Sequence, residues 1–150
     1  MKKLFHEIQK IPLWMVLTGY SAFLIIIFAT YHFDKNFLFP VLIITAVCVF
    51  LIFLKLETII TADFIYYRFF PYHKSFRKIH WNEIKSVKVR KYNAIREFGG
   101  WGINYGIRKK AFMLSGKMGI EIEMLNNKLI LIGTKRPVEV EKILTQLLGK

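Results

Sequence analysis

The sequence predicts a membrane α-helical hairpin followed by a mainly-β domain that a C-terminal amphipathic helix closes. Three observations lead there. Two long stretches near the N-terminus carry no Asp, Glu, Lys or Arg. From Lys55 onward the chain breaks into short alternating segments rich in β-branched and aromatic residues. The last dozen residues then change to a helical spacing.

Composition fits this partition. The 150 residues are 54% apolar and still carry a net charge of +13, so greasy and charged residues occupy different stretches. A disordered chain would be poor in apolar residues. A disulfide-stapled module needs at least two cysteines, and Cys48 stands alone.

The uncharged stretches run from Ile11 to Phe33 and from Asn36 to Leu54. At about 1.5 Å per helical residue they cover ~34 and ~28 Å, against a hydrocarbon core of ~30 Å. Spans are expected at about 13–33 and 37–54. Trp14 at one end of the first, and Tyr31, His32 and Phe33 at the other, suit the two headgroup levels. Asn36 is placed to cap the second, and Pro40 falls in its first turn, where a missing N–H costs little. Neither stretch has the polar stripe of a soluble helix. The first is too long for the apolar core of a signal peptide and has no clear small-x-small site before Ala29, so it reads as a retained anchor. The segment Asp34-Lys35-Asn36 joins the spans and sums to zero charge, whereas both flanks are basic. That asymmetry predicts both termini on the cytoplasmic side of a multi-pass protein. In residues 1–12, Leu4, Phe5, Ile8 and Ile11 share one helical face, as for a short interfacial helix.

Residues 55–150 hold 19 Lys and Arg against 8 Asp and Glu, and have length enough for one small core. Thr58–Thr61 and Phe64–Phe70 read as strands separated at Asp63, and Lys74–Ile79 reads as a return strand. In Lys85–Tyr92, Val87 and Val89 point one way while Ser86, Lys88, Arg90 and Tyr92 point the other. Met118–Met124, with Ile120, Ile122 and Met124 inward, and Lys128–Ile132 form a hairpin about Asn126 and Asn127. Val140, Ile143, Leu144, Leu147 and Leu148 make a helical stripe beginning near Pro137.

Few residues suggest chemistry. His73 and His80 lack a partner at metal-ligand spacing, and no nucleophile elbow, Walker loop or His-Glu-x-x-His occurs. Gly100-Trp101-Gly102-Ile103-Asn104-Tyr105-Gly106 has the wrong spacing for a dinucleotide loop and leads into Ile-Arg-Lys-Lys. Its glycines permit a sharp bend over a packed Trp101; alternatively, Trp101 and Tyr105 form a contact surface with the basic residues nearby. The basic residues fall in three clusters: Lys74, Arg77 and Lys78; Lys85, Lys88, Arg90 and Lys91; and Arg108, Lys109 and Lys110. A domain tethered at an anionic leaflet has a polyanion beside it, so these clusters point to membrane before nucleic acid.

The run Ile79-His80-Trp81-Asn82-Glu83-Ile84-Lys85-Ser86-Val87-Lys88-Val89 resembles the strand-turn-strand signature of bacterial PH-like domains. Thr61-Ala62-Asp63-Phe64-Ile65-Tyr66-Tyr67-Arg68 is similar to the opening hairpin of that family. The resemblance covers roughly Glu57 to the C-terminus. It implies a PH-like barrel with a C-terminal capping helix, in a family where a two-helix hairpin commonly precedes the domain in small inner-membrane proteins. It implies no catalytic residues.

The expectation is therefore a non-enzymatic, multi-pass protein of the bacterial inner membrane, without cofactor or metal. Its PH-like domain would bind anionic phospholipids or a protein partner through Lys74, Arg77, Lys78, Lys88, Arg90, Lys91, Trp101, Tyr105, Arg108, Lys109 and Lys110. The alternative is a scaffold or accessory subunit, or a homo-oligomer, whose helices dock through small residues such as Thr18, Ser21, Ala22, Thr45, Ala46 and Cys48.

Overall fold

The computed structural model describes residues 3–31 and 37–149. Two compact units emerge. One comprises Lys10–Leu54; the other joins the N-terminal strand to everything from Lys55 onward.

The first unit holds two apolar helices, α1 (Leu13–Tyr31) and α2 (Leu38–Phe53). They pack on each other, and the Tyr20 hydroxyl and Thr45 Oγ1 lie 3.1 Å apart. Thr45 also donates to the Val41 carbonyl of its own helix, at 2.7 Å, so its hydroxyl is satisfied without water. Among the described residues, one helix is long and apolar enough to cross a membrane: the window Leu13–Thr30 has a mean hydropathy of 2.0, and 11% of it is buried, unlike a soluble core helix. The 16 residues of α2 rise about 24 Å, short of a ~30 Å core. The multi-pass arrangement with both termini on the cytoplasmic side is thereby corrected to one candidate span. The difference arises because absence of charge extends beyond helical geometry: the uncharged stretch runs to Leu54, but Leu54 is already extended, with ψ 125°. The expected turn Asp34-Lys35-Asn36 and the ring belt at His32 and Phe33 lie outside the described residues.

The second unit begins with a strand where the sequence predicts an interfacial helix. β1 (Lys3–Lys10) buries Phe5, Glu7 and Gln9 on one side and exposes Leu4, His6, Ile8 and Lys10. Two of its three inward residues are polar, which hides the period-2 signal. Apart from Gln9 Oε1, which is buried without a partner among the described residues, they are hydrogen-bonded where they sit. Thr134 Oγ1 donates to the Glu7 carboxylate at 2.6 Å, the Lys135 N–H donates to it at 2.8 Å, and Gln9 Nε2 donates to the Gly133 carbonyl at 2.7 Å.

β2 (Lys55–Thr61), β3 (Phe64–Phe70) and β4 (Arg77–His80) complete a four-stranded sheet in the order β1-β2-β3-β4. β2 is flanked by strands on both edges and is buried from Leu56 to Thr61 on both faces, polar Glu57, Thr58 and Thr61 included. Glu57 is accommodated there by Arg68, its register partner on β3, at 2.7 Å and by His6 of β1 at 2.9 Å. Burial acts to raise the Glu57 pKa, but hydrogen bonds from Arg68 and His6 outweigh it and lower the value.

A short 3₁₀ turn, Trp81–Glu83, carries the chain into the second sheet. The Trp81 indole donates to the Thr61 carbonyl at 3.1 Å and its backbone N–H to the Asp63 carbonyl at 3.3 Å, which fixes the transition. β5 (Ile84–Lys91) follows, then a one-turn helix α3 (Ala94–Phe98), β6 (Gly102–Tyr105), β7 (Lys109–Met113), β8 (Met118–Met124) and β9 (Leu129–Thr134). Their order is β5-β8-β9-β7-β6, with β7 and β9 parallel and the other pairs antiparallel. α4 (Pro137–Leu148) packs on β5 and β8 and buries Val140, Ile143 and Leu144. The strands form two sheets rather than a closed barrel. Rings from both, Tyr67 of β3 and Phe112 of β7, meet with centroids 5.0 Å apart.

Tyr92 corrects the predicted alternation. It lies one residue past β5, bonds its N–H to the Lys117 carbonyl, and turns into a core with Ala94, Ala111, Met113 and Leu131 instead of facing water. Burial pushes its phenol up to about 12.

Candidate functional site: a basic, aromatic end of the β domain

The glycine-rich segment is not one loop. Asn93 caps α3 by accepting from the Arg96 N–H at 3.0 Å, and Gly99, with φ 77°, ends it in a left-handed conformation that suits glycine. β6 and β7 then form a hairpin in which Ile103 pairs with Phe112, Asn104 with Ala111, and Tyr105 with Lys110. The Gly106 N–H donates to the Lys109 carbonyl at 2.7 Å, closing the tip at Gly106-Ile107-Arg108. Ile107 makes almost no contact with the rest of the protein; its relative exposure is 102%.

Beside the tip, Tyr67, Arg108, Lys110, Asn126 and Lys128 line a cavity of about 210 Å³. No carboxylate lines it. Among the described residues, Arg108, Lys110 and Lys128 form no ion pair. Lys110 Nζ sits 5.3 Å from the centre of the Tyr105 ring, a cation–π contact that holds the ammonium at the rim.

Aromatic rings from the connection after β3 meet Tyr105 at this end. Tyr72 and Tyr105 have ring centroids 6.2 Å apart, and both are more than half exposed. Burial, then the hydrogen bond with Tyr72, pushes the Tyr105 phenol up to about 12. His73 lies beneath, buried, with its ring 5.8 Å from Tyr67 and 5.3 Å from Phe112. Its Nδ1 accepts from the Phe69 N–H at 3.3 Å, which needs the neutral ring. Burial lowers its pKa, and the charges of Arg77 and Lys110 lower it further. Arg77 from β4 and Lys110 from β7 thus project their fields onto one histidine.

The structure therefore brings together Arg77, Tyr105, Arg108 and Lys110, with Lys74 exposed in the connection before β4. It separates the others. Arg77 and Lys78 pair with successive residues of β3, Tyr67 and Tyr66, so they take opposite faces; Lys78 Nζ lies 5.7 Å from the Phe64 ring centre. Lys109, between two residues of the cavity, faces the other side of the hairpin and helps lower the Glu97 pKa, after the Asn93 backbone bond and the Arg90 contact. Lys88 lies 3.1 Å from Glu121, and Arg90 is paired with both Glu121 and Glu97. Lys91 and Trp101 line a different recess of about 550 Å³, with Tyr92 and Lys117.

No family model and no curated protein matches the chain.

Sequence reading missed Ile107, Tyr72, His73 and Lys128 as parts of this end. The isoleucine between Gly106 and Arg108 is visible in the sequence, but a single exposed apolar residue is ordinary and gains meaning only beside the cations. Nothing in the sequence, by contrast, places the Asn126–Lys128 turn beside the Gly106–Arg108 turn. That proximity comes from the parallel pairing of β7 with β9, where the Leu129 N–H donates to the Arg108 carbonyl at 2.8 Å.

Proposed function

We propose that the protein is a membrane-tethered, non-enzymatic PH-like module whose β6–β7 hairpin docks on an anionic lipid surface. The PH-like reading is supported by two sheets joined through the Trp81 turn and closed by α4, together with the residues that resemble that family. The apolar helices α1 and α2, which leave from β1 and return to β2 of one sheet, supply the tether. One observation carries the docking role: a fully exposed isoleucine sits beside Arg108 and Lys110, which have no carboxylate partner among the described residues. An apolar tip gains by entering the acyl boundary, while each cation near the headgroups contributes about 1 kcal/mol. Tyr72 and Tyr105 add amphipathic rings suited to that depth.

The test uses the full chain with Cys48→Ser and Ile107→Cys, labelled at the new cysteine with an environment-sensitive fluorophore. It is placed in phosphatidylcholine nanodiscs with or without phosphatidylglycerol. Emission should shift to the blue only with the anionic lipid and should return in about 1 M salt, where the screening length is ~3 Å. A shift indifferent to lipid charge and salt overturns the proposal.

A further inference from the structure

The 210 Å³ cavity behind the hairpin carries a narrower specificity than attraction to negative charge. Arg108 belongs to the hairpin tip, Lys110 to β7 and Lys128 to the turn between β8 and β9, so three backbone segments deliver three cations to one space. Asn126 adds a neutral polar group to its wall, and Tyr67, Met124 and Ile130 make the rest of it largely apolar. Parallel pairing of Lys109 with Leu129 and Lys110 with Ile130 fixes the separation of these segments, so the cavity belongs to the sheet and not to a mobile loop. Its volume lies below the ~300–1,000 Å³ of small-molecule clefts, which suits a compact group.

We infer that this cavity binds the terminal phosphomonoester of a lipid headgroup, as in phosphatidic acid, with Ile107 entering the bilayer beside it. The inference rests on the docking role proposed above. Three unpaired cations call for more than the single charge of a phosphodiester. A phosphomonoester brings about −1.5 to −2 and three acceptor oxygens, enough for Arg108, Lys110 and Lys128 to bind different oxygens. Lipid is favoured over free phosphate because the cavity opens beside a fully exposed apolar side chain that free phosphate would leave in water.

The experiment places the isotopically labelled full chain in phosphatidylcholine nanodiscs doped with rising fractions of phosphatidic acid or phosphatidylglycerol, and follows the amide resonances of residues 106–110 and 128. Phosphatidic acid should saturate the shifts at about one-tenth the fraction that phosphatidylglycerol needs. Lys128→Gln, in an exposed turn, should abolish that preference while thermal unfolding stays unchanged. Equal saturation by the two lipids overturns the inference; the salt-reversible response of the label at position 107 then still supports the docking role, and its loss would remove both. Inorganic phosphate added to undoped discs should shift these resonances only weakly. Should it bind as tightly as phosphatidic acid, the lipid assignment fails. A retained preference in Lys128→Gln overturns the placement in this cavity.

Discussion

On β5, Lys85, Lys88 and Arg90 face β8 across an antiparallel ladder that sets Lys88 opposite Glu121 and Ser86 opposite Glu123. At the hairpin, Arg108 and Lys110 face Lys128 across a cavity with no carboxylate. Residue types are alike in the two regions, but their fields differ. On the strand face each cation has a carboxylate partner, Lys85 with Glu123 at 2.7 Å among them, so its charge contributes to holding the sheet. At the hairpin no carboxylate lining the cavity offsets the charge. Cross-strand register, not the number of lysines and arginines, separates a paired basic surface from an unpaired one.

Charge reversal tests this contrast most directly. Arg108→Glu with Lys110→Glu removes two favourable charges at an anionic surface and adds two unfavourable ones, a change of about 4 kcal/mol at ~1 kcal/mol per charge. The fluorophore at position 107 should then show no lipid-dependent shift. Unfolding of the same variant should move by no more than about 1 kcal/mol, the worth of the exposed Lys110–Tyr105 cation–π contact that is lost. If stability falls steeply instead, the hairpin cations are structural and the contrast fails.

The opposite outcome is expected for Glu121→Ala. Its side chain is only 11% exposed and holds both Lys88 and Arg90. Losing those charge-assisted bonds should cost about 2 kcal/mol in a denaturant titration, with Arg90 retaining Glu97. Docking on anionic discs should be unchanged.

These two outcomes mark what the sequence could and could not reveal. Strands β2, β3, β5, β8 and β9 and helix α4 were legible because each carries its own period and its own punctuation, such as Asp63 or Pro137. β1 was not, because Glu7 and Gln9 occupy its inward positions and find their hydrogen-bond partners in Gly133, Thr134 and Lys135, more than a hundred residues away. β6 and β7 were obscured by glycines that serve helix termination and the approach to the hairpin. For the site, Tyr105, Arg108 and Lys110 could be read locally. Lys128, Tyr72 and His73 join them through pairing between distant segments, and no local pattern encodes a parallel register.

Acid should separate the regions by the pH at which each yields. His73 is held below its ordinary 6.5, first by burial and then by Arg77 and Lys110, so its stabilising contribution is complete above 6.5 and declines as pH falls below it. Glu57, Glu97 and Glu123 are all held below 4.5: in Glu57 hydrogen bonds from Arg68 and His6 overcome burial, in Glu97 the Asn93 backbone bond leads, and in Glu123 the Lys85 bond does. Their contribution is complete above 4.5 and is lost only as pH falls below that value. Unfolding midpoints measured from pH 8 to pH 3 should therefore decline in two portions, and His73→Phe should remove the upper one. A single decline confined to pH below 4.5 would show that the hairpin end has no titrating support of its own.

The smallest effect concerns Tyr105, and it distinguishes a ring that positions a cation from one that merely covers surface. Its face lies 5.3 Å from Lys110 Nζ, and its edge meets Phe112 at 90° with centroids 6.1 Å apart, so the ring is held while the ammonium is held by it. An exposed cation–π contact is worth about 0.5–1 kcal/mol. Tyr105→Leu keeps apolar cover but loses the negative ring face, and should raise the phosphatidic acid fraction needed for saturation roughly threefold. Tyr105→Phe keeps the face and loses only a phenol that stays neutral, its pKa being pushed up to about 12 by burial and then by Tyr72. It should bind within about twofold of the parent, since the contact depends on the ring face and not the hydroxyl. No comparable pair of variants should matter on the strand face, where carboxylates, not rings, position the cations. Equal loss in Tyr105→Leu and Tyr105→Phe would assign the effect to the hydroxyl bond with Tyr72, making the two tyrosines, rather than Lys110, the element that orders the hairpin.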